Sequence, residues 1–296
     1  MSPRSEVRLR PPLTTRLRRE TPPAVSTARP TLARRSDVPV GSEHAVVAAP
    51  LFTRAGYARI LADGLDGGYS FRAFDDPFDP SGRPVCLLRH DVDADPGAAL
   101  ELARIEAGLG VRSTYFLMVR SALYNPLGRA NSAIVREILS LGHWLGLHFD
   151  VSFMPGEERD ALEWAARERF ILEESFHTEV GAVSFHQPGQ SPRPLPSAFR
   201  GMVLASSERD LPGFFYLSDS NKAERTHRAA EILRNATEPR FQFLVHPIWW
   251  ATDDPDASTE ELWTQAILRN LERSQEQLLA CEGAFGTPRL FTITPR

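Results

Sequence analysis

The stretch Val85-Cys86-Leu87-Leu88-Arg89-His90-Asp91-Val92-Asp93-Ala94-Asp95-Pro96 decides the reading of this chain. Its apolar run, Val85 to Leu88, predicts a buried strand over 85–90. Asp95-Pro96 opens a segment in which Ala99, Leu100, Leu102, Ala103 and Ile105 recur at helical spacing. Side chains alternate along a strand, so Asp91 and Asp93 point the same way. Two carboxylates side by side at a strand's end repel, and one pKa rises unless a cation sits between them. The other reading is a plain strand-end turn in which Asp93 or Asp95 caps the helix.

Working outward, the strand-then-helix unit recurs. Helices are predicted over 52–65 (with Tyr57, Ile60 and Leu61 on one face), 96–109, 133–141, 157–176, 223–233 and 259–279, with Gly110 and Gly142 as stops. Strands are predicted over 113–119, 144–149, 182–185, 202–205, 214–217 and 241–245, and 290–293 reads as a closing strand. Alternation of this kind implies a parallel sheet. Seven or so units over about 240 residues suggest a (β/α) barrel, whose catalytic face is the C-terminal end of its strands.

Composition bounds the rest. With 296 residues, 42% apolar and 24% charged, the chain reads as an ordinary soluble globular protein. No apolar run approaches the roughly 18 residues of a membrane span. Residues 1–45 hold nine arginines against four acids, a charge of +5, while the remainder carries −9. This Arg/Pro-rich tail has no hydrophobic period and is expected to be disordered. Residues 46–296 are expected to form a single barrel domain. The pair Arg18-Arg19 lacks an apolar region after it, so no export signal is read and a cytoplasmic location is expected. Cys86 and Cys281 show no metal-binding spacing and read as free thiols. No phosphate loop, Gly-x-Gly-x-x-Gly or Gly-x-Ser-x-Gly element is present, which argues against nucleotide chemistry and serine hydrolysis. Neither a membrane nor a nucleic acid is expected as a partner.

The predicted strand ends collect polar residues: His90, Asp91 and Asp93; His148-Phe149-Asp150; His186-Gln187-Pro188-Gly189; Ser218-Asp219-Ser220; and His246-Pro247. Each alone reads as an ordinary loop residue. Together, at one rim and without thiolates, they suit Zn²⁺ or a similar divalent ion. His143, after Gly142, reads as structural.

These segments, with Ser113-Thr114-Tyr115-Phe116, Tyr124-Asn125, Gly142-His143-Trp144-Leu145-Gly146-Leu147-His148-Phe149-Asp150 and Leu244-Val245-His246-Pro247-Ile248-Trp249-Trp250, resemble the polysaccharide deacetylase (carbohydrate esterase 4) superfamily. The likeness is greatest to its branch with an HDVD first motif, and it spans roughly residues 52–296. It implies a distorted (β/α)7 barrel and a divalent metal ion held by one Asp and two His. It also implies a second Asp as general base and a late His as general acid, acting in removal of an N-acyl group. Carried over by position, Asp93 matches the metal-binding Asp, His148 the first metal His and His246 the acid. The usual base position holds Val92, so Asp91 serves as base only if the strand end is rebuilt. The second metal His falls on Ser152, and His186, then Asp150, are the replacements considered. Arg120, Tyr124, Asn125, Asp219 and Trp250 are expected near the substrate, with Trp249 and Trp250 offering a sugar ring a flat face or else packing in the core. The expected activity is metal-dependent hydrolysis of an N-acyl sugar or sugar-containing small molecule. Hydrolysis of a non-sugar amide, cyclic amide or imide is one alternative, and an inactive carbohydrate- or protein-binding barrel is another.

Overall fold

A computed structural model describes residues 51–74, 82–153, 158–191, 195–199 and 201–281. The expected tail and the strand at 290–293 lie outside the described residues. The elements run α1 (Arg54–Asp66), β1 (Ser70–Arg72), β2 (Val85–Val92), α2 (Pro96–Gly108), β3 (Thr114–Leu117), α3 (Arg129–Ser140), β4 (Trp144–Asp150), α4 (Glu158–Phe176), β5 (Ala182–His186), β6 (Val203–Leu204), β7 (Phe215–Ser218), α5 (His227–Asn235), β8 (Arg240–Val245) and α6 (Thr259–Cys281). Every predicted strand and helix that falls on described residues is present. The helix expected from 223 begins only at His227, because two short 3-10 turns occupy Ser220–Lys222 and Glu224–Thr226.

The strands pair side by side in the order β6-β5-β4-β3-β2-β8-β7, with β1 added to the start of β2. Every one of these pairings is parallel. Among the described residues no ladder joins β6 to β7, so the sheet is a half-barrel, the distorted form of a (β/α)7 barrel. One side-chain bond reaches toward that opening: Gln242 Nε2 on β8 donates to the Ala205 carbonyl just after β6 at 2.9 Å.

β2 sits centrally and all eight of its residues are buried. That explains why its sequence reads as a continuous apolar run before it turns polar. Two apolar clusters lie along the helix-covered face of the sheet: Leu100, Ala103, Leu145, Leu147, Ala165 and Leu172 in one, and Tyr57, Leu61, Leu88, Leu102, Phe243 and Val245 in the other. A third, smaller group, Phe74, Leu87, Phe116, Ala182, Ala205 and Leu211, packs together apart from these. Within it, β4 must pass close to Phe116: a Cβ on Gly146 would lie 2.4 Å from that ring, so only glycine fits. At the other end of β2, Asp95 caps α2 by accepting from Gly97 N at 2.9 Å, and Arg269 and Arg273 of α6 close on the same carboxylate. The caps and the parallel order bring the ends of β2, β4, β5 and β8 to one rim.

Candidate metal centre and active-site pocket

On the pocket face of β2 the alternating residues are Arg89, Asp91 and, one residue beyond the strand, Asp93. His148 comes from β4, His186 ends β5, and His246 follows β8. Asp93 Oδ1 lies 3.0 Å from His148 Nε2 and 3.3 Å from His186 Nδ1, and those two nitrogens are 3.2 Å apart. The three atoms therefore form a nearly equilateral face. A tetrahedral ion with bonds of roughly 2.0–2.1 Å keeps its ligand atoms about 3.3 Å apart. Asp93 Oδ1 is buried, yet no well-aimed hydrogen bond reaches it. A buried carboxylate oxygen without a donor is costly unless a cation meets it. On size and donor chemistry, Asp93, His148 and His186 fit a divalent ion.

The surroundings set the ligands' orientation. His148 Nδ1 is hydrogen-bonded with Ser184 Oγ at 2.7 Å, which leaves Nε2 for the face. Ser184 Oγ in turn donates to Asp91 Oδ1 at 3.4 Å. Gln187, directly after His186, holds a left-handed backbone at φ 46°, an uncommon geometry for a side chain this long and one that occurs at the pocket wall. Burial alone would raise the Asp93 pKa. The adjoining imidazoles of His148 and His186 and the charge of His246 hold it well below the usual carboxylate range. His186 responds in kind: burial opposes its charge, and Asp93 raises its pKa above the ordinary value.

Asp91 is gripped by Arg89 through a two-bonded fork, Nε to Oδ1 at 2.8 Å and Nη2 to Oδ2 at 2.7 Å. Both side chains are almost wholly buried, and the guanidinium lies over the Phe116 ring at 5.2 Å. Burial would push the Asp91 carboxyl up, but Arg89 and then His148 bring it below its ordinary pKa. Asp91 is thus an ionised carboxylate facing the pocket. Across the opening, His246 Nε2 lies 3.8 Å from Asp93 Oδ2. Its Nδ1 meets Asp219 Oδ1 at 2.6 Å, and its backbone N–H donates to Asp219 Oδ2 at 2.9 Å. Burial disfavours the imidazolium, yet the Asp219 charge lifts the His246 pKa to about 9. The pairing with Asp219 thus favours the charged form of His246.

Five of the expected substrate contacts do not line this pocket. Arg120 pairs with Glu168 at 2.5 Å and lies over the Trp164 and Phe149 rings, so its charge is spent behind the sheet. Tyr124 is buried and donates its hydroxyl to the Val92 carbonyl at 2.7 Å, bracing the end of β2. The Asn125 side chain accepts from Leu127 N in its own turn. Asp219 is fully buried, its oxygens taken by His246 and by Trp250 Nε1 at 2.6 Å, which makes it an orienter of His246. Trp250 is fully buried and packs on Phe52 and Tyr57. Trp249, by contrast, borders the pocket.

Two further expectations are corrected. His90 does not join the rim. Alternation turns it to the other face of β2, where Nε2 meets Glu106 Oε1 at 2.7 Å and the ring stacks on Tyr115 at 4.3 Å. Asp150 is not drawn into the metal face either, since its Oδ1 accepts from Ser152 N at 2.8 Å. His143 is structural, bonded to the Ala103 carbonyl and Ser113. Both cysteines are free.

The residues that sequence reasoning missed are Arg89, Ser184, Tyr216 and Leu244. The first two had a signal: each sits two residues before a singled-out residue on a strand, and so on the same face.

No family model and no curated protein matches the chain. Among solved structures it is similar to a CE4 family pseudoenzyme from Bacillus anthracis, at 15% identity and TM-score 0.39, covering 64% of this chain and 60% of that one. It is also similar to the peptidoglycan deacetylase PdaC from Bacillus subtilis, at 15% identity and TM-score 0.40, covering 70% and 100%. A third is the chitin deacetylase from Colletotrichum lindemuthianum, at 17% identity and TM-score 0.38, covering 69% and 87%. Likeness at this level gives this chain neither an activity nor residue roles. No helix among the described residues is long and apolar enough to cross a membrane.

Proposed function

We propose that this protein is a metal-dependent amide hydrolase that removes an N-acyl group from a sugar or other small molecule. The observation that carries the reading is the face of Asp93, His148 and His186, with ligand atoms 3.0–3.3 Å apart, beside the Arg89-bound Asp91 carboxylate and the Asp219-bound His246 imidazole. The sequence resemblance to polysaccharide deacetylases supports the same reading.

A divalent ion held there supplies Lewis-acid polarisation of the substrate carbonyl and a lowered pKa for water, toward about 7. Asp91 takes the proton from the attacking water. Arg89 keeps Asp91 ionised and aimed, at the cost of some proton affinity. His246 Nε2 gives its proton to the departing nitrogen, which otherwise would leave as a strongly basic anion. Asp219 holds that imidazole in orientation and charged. A protein with these ligands but no turnover would be a binding barrel.

The experiment is hydrolysis by zinc-loaded protein of N-acetyl sugars, acyclic amides and cyclic amides or imides, with Asp91→Asn and His246→Gln beside it. Turnover of an N-acyl substrate that falls at least a hundredfold in each variant, with metal content unchanged, supports the reading. Turnover unaffected by either substitution sinks it.

A further inference from the structure

β5 carries two polar residues on one face, Ser184 and, two residues on, His186. His186 joins the metal face, whereas Ser184, one step back along the strand, is fully buried. In register, Ser184 pairs with His148 of β4, so their side chains stand side by side, and Ser184 Oγ lies 2.7 Å from His148 Nδ1. The curl of the sheet brings the same oxygen within 3.4 Å of Asp91 Oδ1, although β3 and β4 stand between β2 and β5. Asp91 Oδ2 is itself 3.7 Å from His148 Nδ1. One hydroxyl therefore meets both a candidate ligand and the candidate base. Arg89 already pairs Asp91 with two bonds, so Ser184 is not needed to keep that carboxylate from being buried alone.

The serine hydroxyl has one proton, and a neutral imidazole has one, on either nitrogen. Two arrangements follow. If Ser184 donates to Nδ1, the ring proton sits on Nε2 and points at Asp93 Oδ1, 3.0 Å away. Nε2 then has no lone pair for a metal ion, and Asp91 has lost Ser184 as a donor. If Nδ1–H donates to Oγ instead, the hydroxyl proton is free for Asp91 and Nε2 faces the site bare. Oδ1 of Asp91 has lone pairs for both Arg89 Nε and Ser184 Oγ. The Asp91 charge favours this second arrangement, because it draws both protons toward itself. We propose that Ser184 is a positioning residue that couples the two halves of the site: the bond it gives Asp91 fixes His148 in the tautomer that can hold a metal ion. The inference rests on the metal-dependent hydrolase reading and deepens it. Ser184 acts only through His148 and Asp91, and one proton sets the ligand and orients the base together.

The test reads the zinc affinity of the full chain by chelator competition, with no substrate present. Ser184→Ala takes the acceptor from Nδ1 and the donor from Asp91, and should weaken zinc binding about 10–100-fold. A serine that only packs would shift the thermal melt and leave zinc affinity alone. Asp91→Asn, alone and combined with Ser184→Ala, completes a double-mutant cycle. The direct pull of the carboxylate on a cation is lost in both backgrounds and cancels, so the excess is carried by Ser184. Asp91→Asn should weaken zinc binding about threefold more, or beyond, when Ser184 is present than in Ser184→Ala. Unchanged zinc affinity in Ser184→Ala, or two effects that simply multiply, overturns the coupling. Amide hydrolysis by the native protein, followed alongside, separates the two readings. The expected cycle without hydrolysis upholds the role of Ser184 and removes the hydrolase reading. Hydrolysis with independent zinc effects does the reverse.

Discussion

Arg89→Met is the substitution from which the structure predicts most. The wild-type fork has two bonds, 2.8 and 2.7 Å, between side chains that are 5% and 3% exposed. Methionine keeps most of the volume and removes the charge, leaving Asp91 buried with Ser184 at 3.4 Å and His148 at 3.7 Å. Breaking a buried pair from one side costs about 3–5 kcal/mol. For a chain of this size, each kcal/mol lowers Tm by roughly 2–4 °C, so a fall of about 6–20 °C is expected. The Asp91 carboxyl should also rise from its depressed pKa, because the first cause that holds it down is gone. The sign follows. A carboxyl with a lowered folded pKa contributes stability above its unfolded value, which is lost as pH falls through the folded one. In Arg89→Met burial is the largest remaining influence and raises that pKa, so the acid-side loss should shrink or reverse, and the deficit against wild type should narrow as pH falls. Urea unfolding at several pH values measures both effects. Adding Asp91→Leu should restore much of the stability, since an apolar pair leaves no unpaired charge, while abolishing turnover. A single variant within about 1 kcal/mol of wild type, or a double variant no more stable than the single, would refute the reasoning.

Three further outcomes follow from other sites. Asp219→Asn should lower the His246 pKa from about 9 and shift the alkaline limb of the rate profile to lower pH. His246, with its raised pKa, contributes stability fully present below its ordinary value and lost as pH rises through about 9, and an NMR titration reads the change directly. Glu106→Leu should destabilise by about 3–5 kcal/mol in denaturant melts, because it strips partners from His90, Tyr57 and Ser113, all buried. None of these lines the pocket, so turnover per folded molecule should survive. Gly146→Ala should cost about 1–3 kcal/mol by driving a methyl group into the Phe116 ring beneath Arg89.

The strand-and-helix rhythm was legible because each element buries one face, and burial writes its period into the sequence. β1 was missed, being only three residues long and pairing solely with the start of β2. The meeting of Asp93, His148 and His186 could be anticipated, since strand ends in a parallel sheet converge. Arg89 went unread as the partner of Asp91, although the period of two that set Asp91 beside Asp93 applies equally to it. His90 was misjudged for the same reason: one residue off that period, it turns to the opposite face. Arg120, Tyr124, Asn125 and Trp250 lie off the pocket because their partners, Glu168, the Val92 carbonyl, Leu127 N and Asp219, are set by packing that no spacing encodes.

Crystals soaked in zinc and measured across the zinc absorption edge test the central claim most directly. The account predicts one anomalous peak per chain, within about 2.0–2.2 Å of Asp93 Oδ1, His148 Nε2 and His186 Nδ1. A peak held by other residues, with these three atoms still 3.0–3.3 Å apart around nothing, would contradict it.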